Sequence, residues 1–407
     1  MSCCSNVNVT PIVIGGGNGS TAYDAFGRLR TSTPYTLFDS KNILSKNSLF
    51  DESLTGSGTV SYSSDKSTVS LNVTTASGDK VIRETKRVFS YQPGKSLLNL
   101  NTFIFNTAKT NLRQRVGYFE DNNGIILQQN NSEVSFILRT STTGTASDSN
   151  KITQANWNGD KLDGTGASGF TLDLTKTNIF FTDIEWLGVG SVRVGFVING
   201  QFIVAHTFHN ANSQTSVYMK TPNLPIRYEI ENTGATASSS VLQQICSTVM
   251  SEGGYEPIGI ENLAKTADMG TGQSVGTSYV NLVTIRMKSG RTNAVIVPSG
   301  LDILNISNVD FEWSLLLNGT PNTAFAWTSY SDNVEYSLEA KTMTSGTTIA
   351  SGYIGGKTAA VQLGDGTFSW SNQLGRTISG TSDTLTLMIK AASASKAAAG
   401  ILRWYDI

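Results

Sequence analysis

The sequence predicts an all-β protein, with an extended N-terminal arm followed by two β-sandwich domains. Three observations carry this. Val192 to Ile198 places Val192, Val194, Phe196 and Ile198 on one face. Asn199-Gly200 then separates that run from a second one, Gln201 to Phe208. An Asn-Gly pair between two β-rich runs is the strongest short-range hairpin signal, because both turn residues must adopt positive φ. Counting outward from the turn predicts Ile198 opposite Gln201, Phe196 opposite Ile203 and Val194 opposite Ala205. Only 15% of the 407 residues are charged, while 39 are glycine, a profile that suits many short strands better than helices. Finally, strand-like runs recur with turn residues every eight to twelve positions or so, the spacing of a sandwich or barrel.

Residues 1–57 read as the arm. Pro11 to Ile14 is a short strand that ends in Gly15-Gly-Gly-Asn-Gly19. No Lys-Ser/Thr follows these glycines, so they read as a hinge rather than a phosphate cradle. Tyr23, Phe26, Leu29, Tyr35, Leu37 and Phe38 make the arm apolar enough to require burial, either on the next domain or on a neighbouring subunit. With Arg28 and Arg30, the side chains of Tyr23, Phe26, Leu29, Leu37 and Phe38 are the candidate assembly contacts. The alternative makes Tyr35 to Lys41 the first strand of the following sandwich.

Residues 58–257 read as that sandwich. Val60 to Tyr62 and Thr68 to Thr74 form an edge hairpin, and Val88 to Tyr91 leads into the turn Gln92-Pro-Gly94. Leu97 to Asn106 alternates, with Leu98, Leu100 and Thr102 against Asn99, Asn101 and Phe103. Val116 to Glu120 and Ile125 to Leu127 flank the hairpin loop Asp121-Asn-Asn-Gly124. Val134 to Thr140 follows. Ile179 to Trp186 sets Ile184 and Trp186 on one face and Asp183 and Glu185 on the other.

An opening and three later blocks carry a resemblance. Ala25-Phe-Gly-Arg-Leu-Arg30 with Thr36-Leu-Phe-Asp-Ser-Lys41 is followed by Trp157-Asn-Gly-Asp-Lys-Leu-Asp-Gly-Thr-Gly166. After Asp183-Ile-Glu-Trp-Leu-Gly-Val-Gly190 comes Tyr218-Met-Lys-Thr-Pro-Asn-Leu-Pro225. In this order they resemble a group of tailed-bacteriophage virion structural proteins of the cyanophage and marine-phage type, over about residues 20–255. The resemblance implies a particle component whose 58–257 domain is a jelly-roll similar to laminin-G and legume-lectin sandwiches. It does not distinguish head from tail.

Residues 258–407 read as the second sandwich. Tyr279 to Lys288, Ala294 to Pro298, Leu301 to Ile306, Val309 to Leu317 and Val334 to Ala340 are strand candidates. Thr358 to Leu363, Thr384 to Ala391 and Gly400 to Tyr405 complete them, with turns at Asn318-Gly319 and Gly364-Asp-Gly366. The alanine-rich stretch Ala391 to Ala399 is too short and too uniform for a helix, and reads as a loop.

Net charge is −1 with no basic stripe, which argues against a nucleic-acid partner. The three cysteines, Cys3, Cys4 and Cys246, lack metal-ligand spacing and suit a reducing cytosol. The N-terminus lacks the basic and apolar regions of a secretory signal, and no apolar run approaches a bilayer span, so membrane insertion is not expected.

Candidates for chemistry are few. Asp183 and Glu185 lie two apart on one strand, the arrangement from which jelly-roll glycosidases build acid and nucleophile. A third acid is missing from Leu187 to Gly190, so the pair reads as a strand surface paired with Arg193 and Lys220. Asp160 and Asp163, among glycines, could wrap calcium, although Asp-Gly is also plain turn chemistry. His206 and His209, three apart on a strand, point to opposite faces and read as structural. Of the six tryptophans, Trp157 and Trp327 sit beside turn residues and are the candidate glycan contacts.

The expectation is a non-enzymatic virion protein of the tail, baseplate or fibre, made in the bacterial host cytoplasm and requiring no cofactor. It assembles as a homo-oligomer, a trimer or higher, alongside other virion proteins. Host adsorption through a surface glycan is part of that expectation. A capsid decoration or head-vertex protein is the alternative, and a surface glycan depolymerase belongs to a different class.

Overall fold

The computed structural model describes residues 33–256, 258–266, 271–356, 360–363 and 372–407. The chain is all-β. The first group of strands is β1 (Pro34–Lys41), β2 (Phe50–Thr55), β3 (Thr59–Ser63), β4 (Thr68–Val73), β5 (Lys80–Thr85), β6 (Ser96–Ile104), β7 (Leu112–Phe119) and β8 (Gly124–Asn130). It continues with β9 (Glu133–Thr140), β10 (Ser147–Thr153), β11 (Asn178–Ile184), β12 (Val192–Ile198), β13 (Gln201–Phe208), β14 (Ile226–Asn232) and β15 (Ser240–Glu252). They form two antiparallel sheets. The larger runs β13-β12-β11-β6-β15-β4-β3, with β1 added beside β15, and the other runs β10-β9-β8-β7-β14-β5-β2.

Between them lies one continuous core, in which inward residues of both sheets interdigitate. Phe180, Phe196 and Phe136 meet at ring separations of 5.8 to 6.4 Å. One guanidinium is buried there too. Arg83 lies over the Phe50 ring, donates Nε–H to Gln244 Oε1 at 2.6 Å and pairs with Glu52.

The hairpin forms at Asn199-Gly200, both with positive φ (51° and 76°), and Ile198 faces Gln201 and Phe196 faces Ile203 as expected. One pairing differs. Val194 faces His206 rather than Ala205, because a β-bulge between Val194 and Gly195 adds a residue to β13. In β6 the asparagines turn inward with Leu97 and Phe103. Asn99 Nδ2 donates to Thr182 Oγ1 at 2.9 Å, which satisfies a polar group inside the core.

The arm of 1–57 is corrected in its second half. β1 and β2 are strands of the sandwich, and Phe38 is a core residue, packed 5.8 Å from Phe50 and 5.2 Å from Phe89. Leu37 packs partly buried against the same core, and Phe38, being buried, is not free for an assembly contact. Tyr23, Phe26, Arg28, Leu29 and Arg30 lie outside the described residues.

The second group comprises β16 (Ile260–Lys265), β17 (Gln273–Val275), β18 (Val280–Met287), β19 (Ile296–Asn305), β20 (Phe311–Leu317), β21 (Thr320–Pro321) and β22 (Thr328–Ser329). It ends with β23 (Val334–Ser337), β24 (Met343–Thr344), β25 (Thr347–Ile354), β26 (Ala360–Leu363), β27 (Thr384–Ala391) and β28 (Lys396–Asp406). A sheet β16-β28-β19-β26, with β17 beside β28, faces a sheet β22-β23-β18-β27-β20-β25 across a second core. Two expectations change here. The runs Ala294 to Pro298 and Leu301 to Ile306 belong to a single strand, β19, bulged between Pro298 and Gly300. The supposed loop at Ala391 to Ala399 closes within a few residues, and Ala397 to Ala399 already pair in β28, where a small side chain fits the interior.

The sandwiches meet along β5 and the segment after it. Val88 packs with Val295 and Val297, and Gln373 Nε2 donates to Val88 O at 2.9 Å. The Arg376 N–H bonds Lys86 O at 2.7 Å, while its guanidinium reaches Glu84.

Candidate functional site: the outer face of the large sheet

Strand alternation sorts β11 into two sets. Phe180, Thr182 and Ile184 point into the core, which turns Phe181 and Asp183 outward. On β12 the same rule buries Val192, Val194 and Phe196 and leaves Arg193 outside. Register does the rest. Asp183 faces Arg193 on one side and Leu98 of β6 on the other, and the Arg193 guanidinium donates to the Asp183 carboxylate. Two strands away, Glu252 of β15 lies opposite Ser96, whose hydroxyl donates to Glu252 Oε2 at 3.0 Å.

Two adjoining clefts share Asp183 and Arg193. The larger, of about 520 Å³, extends to Tyr91, Lys95, Glu185 and His209. The smaller, of about 240 Å³, is bounded by Leu98, Phe181, Phe202 and Glu252. Phe202 is 53% exposed and stands edge-on to Phe181 at 5.1 Å, so an aromatic surface borders the charged groups. Leu187 adds a second exposed apolar group and sits in the left-handed region at φ 37°, a strained position for a branched residue.

The structure brings together Asp183 and Glu185, as the sequence suggested, and adds Glu252, which no local pattern could reveal. Of the two partners expected for the acids, Arg193 is in place. Lys220 lies instead in a polar cleft of about 500 Å³ between the sandwiches, near Glu120, Arg291 and Asn293.

The remaining candidates fall elsewhere. Trp157 is corrected as a glycan contact: it is buried and stacks on Phe136 at 4.2 Å, where no sugar can reach it. Trp327 is half-buried, with the Arg286 guanidinium 3.9 Å from its ring centre and Phe325 at its edge. Asp160 accepts from the backbone of Leu162 at 2.9 Å and of Ser168 at 2.6 Å, and Asp163 from Thr165. Burial works against the Asp160 charge, yet the Ser168 and Leu162 N–H groups outweigh it and hold the carboxyl below its ordinary value. Both acids thus already brace their own loop. Among the described residues no group of three or more His, Cys, Asp or Glu could hold a metal.

His206 and His209 part company, with His209 lining the larger cleft. His206 is buried, its Nδ1 accepts the Asn158 N–H at 3.2 Å, and its ring stands on Phe208 at 4.5 Å. Burial, with a smaller contribution from His209, pushes its pKa down to about 4.

No protein-family model matches this sequence, and no curated protein matches it either. Solved structures do. The CBM2 module of the evolved Dit of Lactobacillus casei BL23 phage J-1 is 8% identical, with a TM-score of 0.36, over 56% of this chain and all of that one. The Crh5 transglycosylase bound to NAG is 10% identical with a TM-score of 0.37, over 55% of this chain and 86% of its own. A carbohydrate esterase of the Shiga toxin-encoding phage phi24B is 12% identical with a TM-score of 0.31, over 55% of this chain and all of its own. At such identities the likeness concerns the β-sandwich alone. It nevertheless corrects the expectation of a non-enzymatic chain. The similar structures include a transglycosylase and a carbohydrate esterase.

Proposed function

We propose that this chain is a structural protein of a tailed-phage particle, placed at the tail or baseplate as a symmetric homo-oligomer, whose large sheet contacts a host-surface glycan. The particle assignment rests on the opening and the three later sequence blocks that resemble those of virion proteins. The glycan contact rests on one observation: exposed Phe202, beside Phe181, borders the smaller cleft, whose other walls include Asp183, Arg193 and Glu252. A pyranose has an apolar C–H face and a polar rim, and a surface that alternates aromatic and charged groups suits both.

The test is a binding titration of the full chain against purified host surface polysaccharide, with Phe202→Ala as the control. Binding that weakens about tenfold in Phe202→Ala supports the proposal, on the scale of a lost aromatic contact. Equal binding by both proteins overturns the glycan contact. Copy number in purified particles, read by quantitative mass spectrometry, tests the location. A few dozen copies or fewer fit a tail component, whereas hundreds fit a capsid decoration protein.

Glycan cleavage is the second reading. It draws on Asp183 and Glu185 sharing one cleft and Asp183 and Glu252 sharing the next. Two or three carboxylates on one binding face are the raw material of acid and nucleophile roles. Release of reducing ends from the same polysaccharide, lost in Glu185→Gln, would establish it.

A further inference from the structure

The outer face of the second domain carries a row of four side chains that the first sandwich does not explain. Glu312 of β20 lies directly opposite Tyr353 of β25 and, on its other side, opposite Lys390 of β27. Val280 faces Ile389, so Tyr279, one residue earlier, falls in line with Lys390. The order across four neighbouring strands is therefore Tyr279, Lys390, Glu312, Tyr353. With strands about 4.8 Å apart, the row spans roughly 14 Å.

Three of the four are locked together. Lys390 Nζ lies 2.7 Å from Glu312 Oε2 and 4.7 Å from the centre of the Tyr279 ring, while the Tyr279 hydroxyl donates to Glu312 Oε1 at 2.6 Å. The bonds from Lys390 and then Tyr279 hold the Glu312 carboxyl below its ordinary value, so it stays ionised. Beneath the row, Phe311 and Trp313 anchor β20 in the core, which fixes the backbone that carries Glu312.

Tyr353 differs from the other three. At 79% exposure it is the most exposed aromatic side chain among the described residues. It borders a cleft of about 420 Å³ with Glu312 and Lys390 on one wall and the backbone of Gly355 and Ala392 nearby. That volume lies in the range of small-molecule sites. The polar groups keep spare capacity: an ammonium has three donors, of which the carboxylate takes one, and each carboxylate oxygen can accept a second hydrogen.

We infer that this cleft is a second saccharide subsite, in which Tyr353 stacks on the C–H face of a hexopyranose while Lys390 and Glu312 bond its hydroxyls. The inference rests on the reading of this chain as a glycan-contacting protein, and it adds a site on the other domain. The chemistry fits a neutral sugar better than an anionic one. Lysine and glutamate side by side cancel, and Asp310, which also lines the cleft and accepts the Gly356 N–H at 2.7 Å, disfavours an anionic ligand. A free ring face backed by a paired donor and acceptor is what a pyranose, with alternating hydroxyls, can use on both sides.

The experiment uses the full chain with cellohexaose, maltohexaose and chitohexaose, followed by saturation-transfer NMR and calorimetric titration. At least one hexasaccharide is expected to bind, and Tyr353→Ala to weaken it roughly tenfold, as loss of a stacking ring would. Tyr353→Phe keeps the ring and should bind as the parent does. Tyr353 is exposed at a sheet edge, so thermal unfolding of both variants should match the parent. Equal affinity in parent and Tyr353→Ala, or no binding of any of the three sugars, overturns the subsite. The Phe202→Ala variant separates the two proposals. Weakening there but not in Tyr353→Ala keeps the first site and removes this one, and the reverse keeps only this one.

Discussion

Arg376 of the second sandwich places Nη1 2.5 Å from Oε1 of Glu84 in the first, with both side chains buried. Glu84 is already held on its other oxygen by Arg227, 2.5 Å away, and Arg227 continues the chain to Asp121. The domain contact is thus one end of an ion network that runs across the outer face of the smaller sheet of the first domain.

Arg376→Ala removes that end and leaves Glu84 half-paired in a buried setting. The expected cost is about 3 kcal/mol or less, since Arg227 still neutralises part of the charge. Urea unfolding should change from one shared transition to two, as the sandwiches lose their coupling. A single unshifted transition would show that the remaining contacts, at Val88, Asp51 and Asn223, suffice to join the domains.

The N-terminal segment divides at β1. A chain lacking residues 1–32 keeps every described strand of the first sandwich and should unfold at the parent's midpoint, yet fail to enter particles if the arm is an assembly contact. Removing 1–41 also deletes β1 and Phe38. The cost should reach about 3 to 5 kcal/mol, comparable to truncating a buried aromatic. Circular dichroism melts and particle incorporation, read on both truncations, distinguish strand from arm.

His206 sets a pH dependence whose sign is determined by its surroundings. Its folded pKa of about 4 lies below the ordinary 6.5, so on acidification the unfolded chain takes up the proton first. The stability is complete above pH 6.5 or so and is lost as pH falls towards 4, by about 2 kcal/mol between pH 7 and pH 5. Urea midpoints at those two pH values should drop in the parent and stay nearly level in His206→Gln. Carboxyls held low, such as Asp148 paired with Arg139, keep their full stabilising contribution above their ordinary value near 4 and lose it only as pH falls further, so they do not affect the comparison of pH 7 with pH 5.

Gly195 lies at the bulge of the central hairpin. A Cβ there would come within 2.0 Å of the Ile203 carbonyl oxygen and 2.9 Å of the Phe181 ring. Gly195→Ala should cost about 1 to 3 kcal/mol, because rigid backbone must move to admit the methyl group. Phe181 would shift with it, so weaker glycan binding is expected alongside the lower melting temperature.

In the first cleft, Arg193→Ala leaves the Asp183 carboxylate facing the cleft without its cation. Affinity for host polysaccharide should fall about tenfold or more, by roughly the worth of one charged hydrogen bond. A titration of parent and variant at two salt concentrations would read this directly.

Local order was legible in the sequence wherever one short stretch contained all the information. Asn199-Gly200 marked the hairpin, and the alternation of β11 put Asp183 on the face opposite Ile184. What depends on distant strands was not legible. Glu252 meets Asp183 only because β15 pairs with β6 and β6 with β11, and Tyr353 meets Glu312 through a strand 40 residues away. The bulge at Gly195 changed one pairing that simple counting had fixed. Trp157 looked like a surface aromatic because it adjoins turn residues, but the turn directs its ring onto Phe136. Phe38 was assigned to an arm because its partners, Phe50 and Phe89, could not be inferred from the residues around it.

The pairing of β1 with β15 also has a consequence in time. Tyr35 finds its strand partner only in Ser251, more than two hundred residues later. At a synthesis rate of about 5 to 20 residues per second, β1 emerges from the ribosome roughly 10 to 40 s before β15 exists. Throughout that interval Phe38 has no sheet to join, and the larger sheet lacks the strand that links β6 to β4. The first sandwich must therefore close late and from both ends of its sequence at once, which favours slow folding and a need for protection of the nascent chain.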